Sequence, residues 1–530
     1  MYQRNKKINR VLFWLIVVST IIRGVLAAII EFGNDEVYYW TYALYPDLSH
    51  FDHPPMVGFV IQMFSLDLLF QDEFFIRLGS IVFGAINTYL VYIIAKKIKD
   101  STAGLYAAIL YTSSIYAFVI CGVFILPDTP QNFFWLLGIY FFISSLPDRK
   151  LSTISRKNLL LAGLVCGLGI ISKHTSVFLW VGAFLFIIIY NRKWFRTKEF
   201  YLSIIISLVF LIPIFWWNYQ NHFISFTYQG ERVNVSNSGL RLDYFLTELF
   251  GQFLYNNPVN FVLIILALIA FFRKKITTRN FYFEFLLFSA LPLILIFLIF
   301  SLFRSTLPHW TGPAYSNLII IASVFLSNFY SKRKQIPLFP FPIKLSILVL
   351  VLVIILGVGQ INFGLIYSDK NTEPNKLGEN DFSLDLYGWK QLGEKFEKIR
   401  DNDIENNIMN SEASIVSYRW FPAANLDYYV ARPLEMKLFA FNNLERIHKY
   451  AWINKYRGGM QKAMDAYFIT SSSDYFSPFE LYGKYFTSIE AADTIRIYRN
   501  EKNVLNYFVF RMRDLKDDSI NSIRTYENMR

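Results

Sequence analysis

Apolar runs of about 20 residues, the length a helix needs to cross a bilayer core of roughly 30 Å, recur through the first two thirds of this chain. In lipid the backbone must satisfy its N–H and C=O groups internally, which leaves helices or closed barrels. The runs are too long and too numerous for the alternating ten-residue strands of a barrel. The predicted fold class is therefore a polytopic α-helical membrane protein with about eleven transmembrane helices and a small C-terminal soluble α/β domain. The runs lie near 11–31, 76–96, 102–122, 131–147, 157–172, 175–191, 200–217, 258–272, 281–303, 312–330 and 343–364. Composition agrees: 54% of residues are hydrophobic and 17% charged, whereas a soluble chain carries about 25% charged residues.

The connectors set a topology. With the N-terminus cytoplasmic, the inner loops carry Lys96, Lys97 and Lys99; Arg149-Lys150 and Arg156-Lys157; Arg192-Lys193 and Arg196; Arg273-Lys274-Lys275; and Lys332-Arg333-Lys334. The outer loops are nearly bare of basic residues, with Lys173, Arg232, Arg241 and Arg304 as the exceptions. The net charge of +12 is thus a matter of topology, and a nucleic-acid partner is excluded. Met1–Lys7 followed by an apolar run without a small-residue cleavage site reads as an uncleaved signal anchor. Cys121 and Cys166 form neither a disulfide framework nor a metal spacing.

Two domains follow: a transmembrane domain, 1–364, with outer loops 32–75 and 218–257, and a soluble outer domain, 365–530. The two loops are predicted to hold short interfacial helices anchored by tyrosine and tryptophan. Beyond about residue 365 polar residues become frequent. The run 386–400 reads as an amphipathic helix, and 415–418, 466–469 and 504–510 read as strands.

Chemistry concentrates on the outer side. Asp35 and Glu36 follow the first run directly, ahead of Tyr38-Tyr39-Trp40, and Asp52-His53-Pro54-Pro55 comes soon after. A carboxylate at the membrane boundary can take a proton from an attacking hydroxyl or amine; read alone, it is more readily a solvated loop acid, and the aromatic and Asp-His-Pro-Pro context shifts that reading. Asp128 lies in a very short outer loop between Pro127 and Pro130, where an acid is costly unless paired or wet. Lys173, beside His174, breaks the charge pattern, and reads either as a phosphate partner or as a snorkelling lysine.

These residues, with Arg77-Leu78-Gly79-Ser80, Leu126-Pro127-Asp128-Thr129, Leu168–Lys173, Trp217-Asn218, Asn221–Phe226, Pro308-His309-Trp310, Tyr387-Gly388-Trp389 and Tyr418–Ala424, resemble the landmarks of the C-type membrane glycosyltransferases. The group meant is the protein-mannosyltransferase-like and lipid A aminoarabinose-transferase-like one. The resemblance implies inverting transfer of a sugar from a polyprenyl-phosphate carrier to a lipid, protein or polysaccharide acceptor, at the periplasmic face of the inner membrane. It implies Asp35 as base, with Glu36 and Asp128 in support. His53 stands where relatives present a basic residue to the carrier phosphate, and it reads otherwise as part of a turn built on Pro54-Pro55. Lys173, Arg232 and His309 are further candidates for that phosphate. Asp52, Asp128 and His222 form a candidate divalent-metal set, since carboxylate and imidazole suit zinc or manganese.

No glycine-rich phosphate loop or nucleotide fingerprint occurs, so no nucleotide cofactor is expected. A secondary transporter or lipid-linked sugar flippase is the rival class, and would show ionisable residues near the midplane and paired, interrupted spans. Arg23 is the main such residue, and no internal repeat is seen. A third reading is an inactive scaffold whose outer domain binds polysaccharide.

Overall fold

Each of the predicted apolar runs is helical in the computed structural model, which describes residues 2–235, 239–273, 280–331, 333, 335–366 and 373–523. Lys274, Lys275, Lys332 and Lys334, from two of the predicted inner clusters, lie outside the described residues. In chain order the helices are α1 (Tyr2–Ile29), α2 (Asn34–Leu44), α3 (Met56–Phe64), α4 (Glu73–Ile98), α5 (Ser101–Ser113), α6 (Asp128–Ser145), α7 (Thr153–Ile170) and α8 (Phe178–Tyr190). They continue with α9 (Lys198–Val209), α10 (Ile212–Gln220), α11 (Ile224–Val233), α12 (Leu242–Tyr255), α13 (Pro258–Phe272), α14 (Asn280–Ser301), α15 (Gly312–Ser331) and α16 (Phe341–Phe363). Short helices occupy both predicted outer loops, α2 and α3 in the first, α11 and α12 in the second.

The count of about eleven spans is not confirmed. Among the described residues seven helices are long and apolar enough to cross a membrane, or eight if α12 and α13 count as one broken span. Those two helices meet at 99°. The break is at Asn257, whose φ is +66° and whose side chain caps the next helix by accepting from Val259 N at 3.1 Å. α5 and α8 each run for only 13 residues, so neither reaches spanning length by itself.

The chain packs into two units, 1–28 with 42–352 and 29–41 with 353–530. In the first unit, close helix contacts and buried amides replace the hydrophobic effect, which lipid does not supply. A Cβ on Gly163 would stand 2.2 Å from the carbonyl oxygen of Ser203, so only glycine lets α7 approach α9 this closely. Asn257 Nδ2 donates to the carbonyls of Ser113 and Ser346, both at 2.9 Å, and Trp135 Nε1 donates to Asn317 Oδ1 at 3.1 Å. Arg23 is fully buried, its guanidinium 4.6 Å from the ring centre of Phe118. Side chains at Gly84 or Gly122 would occupy its space, at 3.1 and 2.6 Å from guanidinium atoms.

The second unit is built on a five-stranded mixed sheet of order β2-β1-β3-β5-β4. Its strands are β1 (Ser414–Ser417), β2 (Leu438–Ala440), β3 (Ala466–Ser471), β4 (Phe486–Arg499) and β5 (Lys502–Leu515). β1 is parallel to both of its neighbours, and β5 runs antiparallel to β3 and β4. The β4–β5 hairpin turns through Asn500 and Glu501, both at positive φ, as a two-residue hairpin turn requires. A helix, Trp389–Glu405, covers the sheet in the position predicted for the amphipathic helix, ending five residues later than expected.

Residues 29–41 are stitched into this second unit. Glu31 Oε2 accepts from Trp389 N at 2.7 Å, so a carboxylate serves the helix N-terminus whose own cap residue, Gly388, has no side chain to offer. Phe32 N donates to Tyr429 Oη at 2.7 Å. Lys449 Nζ donates to the carbonyl of Thr41 at 3.1 Å, Trp40 packs edge-on to Tyr428, and Tyr38 lies 4.9 Å from the Trp420 ring. The tail motifs Tyr387-Gly388-Trp389 and Tyr418–Ala424 therefore flank the acid-bearing stretch.

Candidate active site

In the first unit a pocket of about 200 Å³ opens among residues from four separate parts of the chain. Asp52 and His53 come from the loop before α3, Lys173 and His174 from the α7–α8 junction, Gln229 and Arg232 from α11, and Arg304 and Trp310 from the segment between α14 and α15. Local sequence explains the placement. The Pro54-Pro55 step stops the loop from continuing as regular structure, and Met56 N then donates to the carbonyl of Ile171 at 3.3 Å, which ties this loop to the end of α7. Gln229 and Arg232 stand three apart on one helix and so share a face.

Lys173 is the centre of the electrostatics. Its Nζ lies 2.8 Å from Asp128 Oδ2, with the two side chains only 9% and 3% exposed. Burial, the strongest single influence on Asp128, pushes its carboxyl up. Lys173, through charge and hydrogen bond, together with His309 and His53, outweighs it and holds the carboxyl below its ordinary value. His53 borders the pocket but is otherwise hemmed in. Burial, opposed by Asp52 and helped by Lys173 and Arg232, depresses its pKa to about 4, so the imidazole is neutral near pH 7.

The walls are aromatic. Arg232 stacks over both Trp310 and Tyr228 at 5.5 Å, and Lys173 Nζ lies 5.9 Å from the Trp310 ring. Phe297 and Phe300 add apolar surface. Arg304 donates to the carbonyl of Asn234 at 3.0 and 2.7 Å. The result is a pocket lined by both cations and aromatic rings, a combination suited to an anion on an apolar stem.

The structure thus gathers His53, Lys173 and Arg232 around one pocket and sets His309 within electrostatic reach of Asp128 and Lys173. The candidate metal set is not seen grouped. Among the described residues no three of the His, Cys, Asp and Glu side chains are grouped to hold an ion. Asp52 Oδ1 accepts from Tyr42 Oη at 2.6 Å, Asp128 is paired with Lys173, and His222 is exposed at a positive-φ turn after α10.

Asp35 and Glu36 lie on the first turn of α2, within residues 29–41 of the second unit. Asp35 is exposed. Glu36 is 2% exposed and its Oε2 accepts from Gly33 N at 3.2 Å, the back-bond of a capping box. The two acids are therefore not equivalent: one faces outward and the other secures the helix start.

Sequence reasoning missed Tyr42 and Gln229, which hold Asp52 from its side chain and from its carbonyl, the latter at 2.7 Å. For Gln229 the spacing to Arg232 on an amphipathic helix was a usable signal. For Tyr42, ten residues from Asp52, there was none.

The resemblance drawn from the motifs is borne out by comparison with known proteins. Residues 52–217 match the family model described as dolichyl-phosphate-mannose-protein mannosyltransferase. Among curated relatives, lipid A galacturonosyltransferase RgtD of Rhizobium johnstonii is 20% identical over 293 residues, covering 55% of this chain and 60% of that protein. The undecaprenyl phosphate-alpha-4-amino-4-deoxy-L-arabinose arabinosyl transferase of Wigglesworthia glossinidia brevipalpis is 25% identical over 203 residues, covering 34% of this chain and 35% of that protein. The matches thus span under two thirds of either relative. The crystal structure of ArnT from Cupriavidus metallidurans bound to undecaprenyl phosphate superposes with a TM-score of 0.60 at 14% identity, over 94% of this chain and 97% of that one. The fold is shared.

Proposed function

We propose that this chain is an inverting glycosyltransferase that moves a sugar from a polyprenyl-phosphate carrier to an acceptor at the periplasmic face of the inner membrane. The observation that carries the reading is the pocket of Lys173, Arg232, Arg304 and His53 set against Trp310, Phe297 and Phe300. A polyprenyl phosphate has the matching form, a dianionic head on an apolar stem. The names of both relatives, a lipid A galacturonosyltransferase and an undecaprenyl-phosphate-dependent arabinosyl transferase, support the same chemistry and favour a lipid A-type acceptor.

In this reading Asp35 accepts the proton of the acceptor hydroxyl as its oxygen attacks the anomeric carbon. The bond from that carbon to the phosphate oxygen breaks with inversion, and the cationic pocket stabilises the charge gathering on the departing phosphate. Asp128 positions Lys173, and Glu36 positions the turn that bears Asp35. Neutral His53 serves as a hydrogen-bond partner to the phosphodiester of the donor and gains a proton as the departing phosphate takes on its second charge.

The test uses purified full-length protein in nanodiscs with a radiolabelled polyprenyl-phosphate sugar. Asp35→Asn is expected to lower turnover by about 10²-fold or more while carrier binding stays within a factor of two. Near-normal turnover would remove Asp35 from its role. With the same protein in sealed proteoliposomes, label that crosses the bilayer without becoming covalently attached to an acceptor would favour the flippase instead.

A further inference from the structure

The second unit contains a cavity of about 360 Å³ that the donor chemistry does not use. Its wall includes Asn34, Phe382, Asp385, Trp389, Arg419 and Asp474. Asn34 immediately precedes Asp35. Its Oδ1 accepts from Asn425 Nδ2 at 2.7 Å, and it also hydrogen-bonds Asp385. The cavity wall and the helical turn that presents Asp35 are therefore one hydrogen-bonded structure.

The charge of this cavity is opposite to that of the donor pocket. Four carboxylates line it, Glu379, Asp381, Asp385 and Asp474, against Arg419 as the lining cation. Two of the four are already matched, Asp381 by Arg499 from behind the wall and Asp474 by Arg419. The donor pocket has Lys173, Arg232 and Arg304 against Asp52. A phosphate is attracted to one and repelled by the other. The remaining lining is what a polyol needs. Carboxylate, amide and serine groups can bond hydroxyls, and ring faces can cover the C–H side of a pyranose. Phe382 stands at this cavity 81% exposed, a large ring the fold itself does not cover.

We propose that this cavity binds a non-phosphorylated sugar unit of the acceptor, neutral or amino-substituted, and so presents the acceptor beside Asp35. The assignment of the ligand as acceptor rests on Asp35 being the base; the affinity for sugar does not.

Saturation-transfer NMR on the full chain in nanodiscs, with no donor present, separates the two. The probes are galactose, glucosamine and glucosamine 6-phosphate. Galactose and glucosamine are expected to show transfer, and glucosamine 6-phosphate at least five-fold less. Phe382→Ala should weaken galactose and glucosamine at least three-fold. Glu379→Lys, at an exposed position, should weaken glucosamine and strengthen the phosphorylated sugar. Asp35→Asn should leave all three signals unchanged. No transfer to either unphosphorylated sugar overturns the proposal, as does equal transfer to the phosphorylated one or indifference to both substitutions at the cavity. If Asp35→Asn keeps normal turnover while the sugar signals behave as described, the base assignment fails and the sugar site stands.

Discussion

Removing the charge of Lys173 should expose how strongly the pocket depends on its ion pair. The pair is direct, 2.8 Å, and its side chains are 9% and 3% exposed. Lys173→Met leaves Asp128 as a carboxylate in a low-dielectric site, a change that costs about 3–5 kcal/mol in comparable buried pairs. The pH dependence has a definite sign. With Lys173 present the Asp128 carboxyl is held below its ordinary value despite burial. The pair therefore stabilises the fold above the unfolded carboxylate value near ~4, and this contribution is lost as pH falls through the depressed folded value. Without Lys173, burial prevails and the carboxyl rises. The deficit of Lys173→Met is then greatest at pH 8 and shrinks as acidification neutralises Asp128. The double variant Asp128→Asn/Lys173→Met, which carries neither charge of the pair, should recover most of the loss. Thermal unfolding of the four proteins of this cycle in detergent, followed by tryptophan fluorescence from pH 5 to 8, reads all of this. A single variant that melts with wild type at pH 8, a deficit independent of pH, or a double variant no more stable than Lys173→Met would refute the reasoning.

Three other outcomes follow from the geometry. Because His53 is neutral at pH 7 and depressed to about 4 by burial, binding of undecaprenyl phosphate should take up a proton and tighten from pH 8 to pH 6; titration calorimetry in two buffers of different ionisation enthalpy measures the uptake, and His53→Gln should abolish it. Gly163→Ala places a methyl group 2.2 Å from a carbonyl oxygen and should destabilise the helix bundle by about 1–3 kcal/mol, seen as a lower melting temperature without loss of donor binding in the surviving fold. In the second unit Asp403 accepts two bonds from Arg511, both 2.7 Å, and one from Tyr467 at 3.0 Å, with its own side chain fully buried; Asp403→Ala should cost about 3–5 kcal/mol and increase proteolysis of the residues after 364.

The helices were legible because lipid leaves the backbone few choices, and an apolar run announces its solution. Their lengths were not. The break at Asn257, between α12 and α13, falls where the sequence ends its outer loop and begins an apolar run, but nothing in the apolar pattern marks that α5 and α8 stop after 13 residues. In the second unit β1, β3 and β5 were readable as apolar, β-branched segments. β2 has only three residues, and β4 shows its alternation only late, at Ile495-Arg496-Ile497, after a polar first half broken by a register shift near Ala491. At the site, Lys173 and Arg232 stood out because they violate the charge pattern of the loops. Glu36 read as an acid in support of Asp35, and only its bond to Gly33 N shows that it also caps the helix start.

What the chain decides by itself is the division into spans, loops and a polar tail, and which loops collect the titratable groups, since each depends on the solvent that a local stretch must face. Tertiary structure alone decides which of those groups meet. The Phe32–Tyr429 hydrogen bond joins residues 397 apart in sequence, and it helps place residues 29–41 in the second unit rather than with the helices beside them. Asp128 and Lys173 are 45 apart, and their pairing turns two costly isolated charges into one satisfied pair. Local periodicity contains no term for such contacts, because their energy exists only once water has been removed from between the partners.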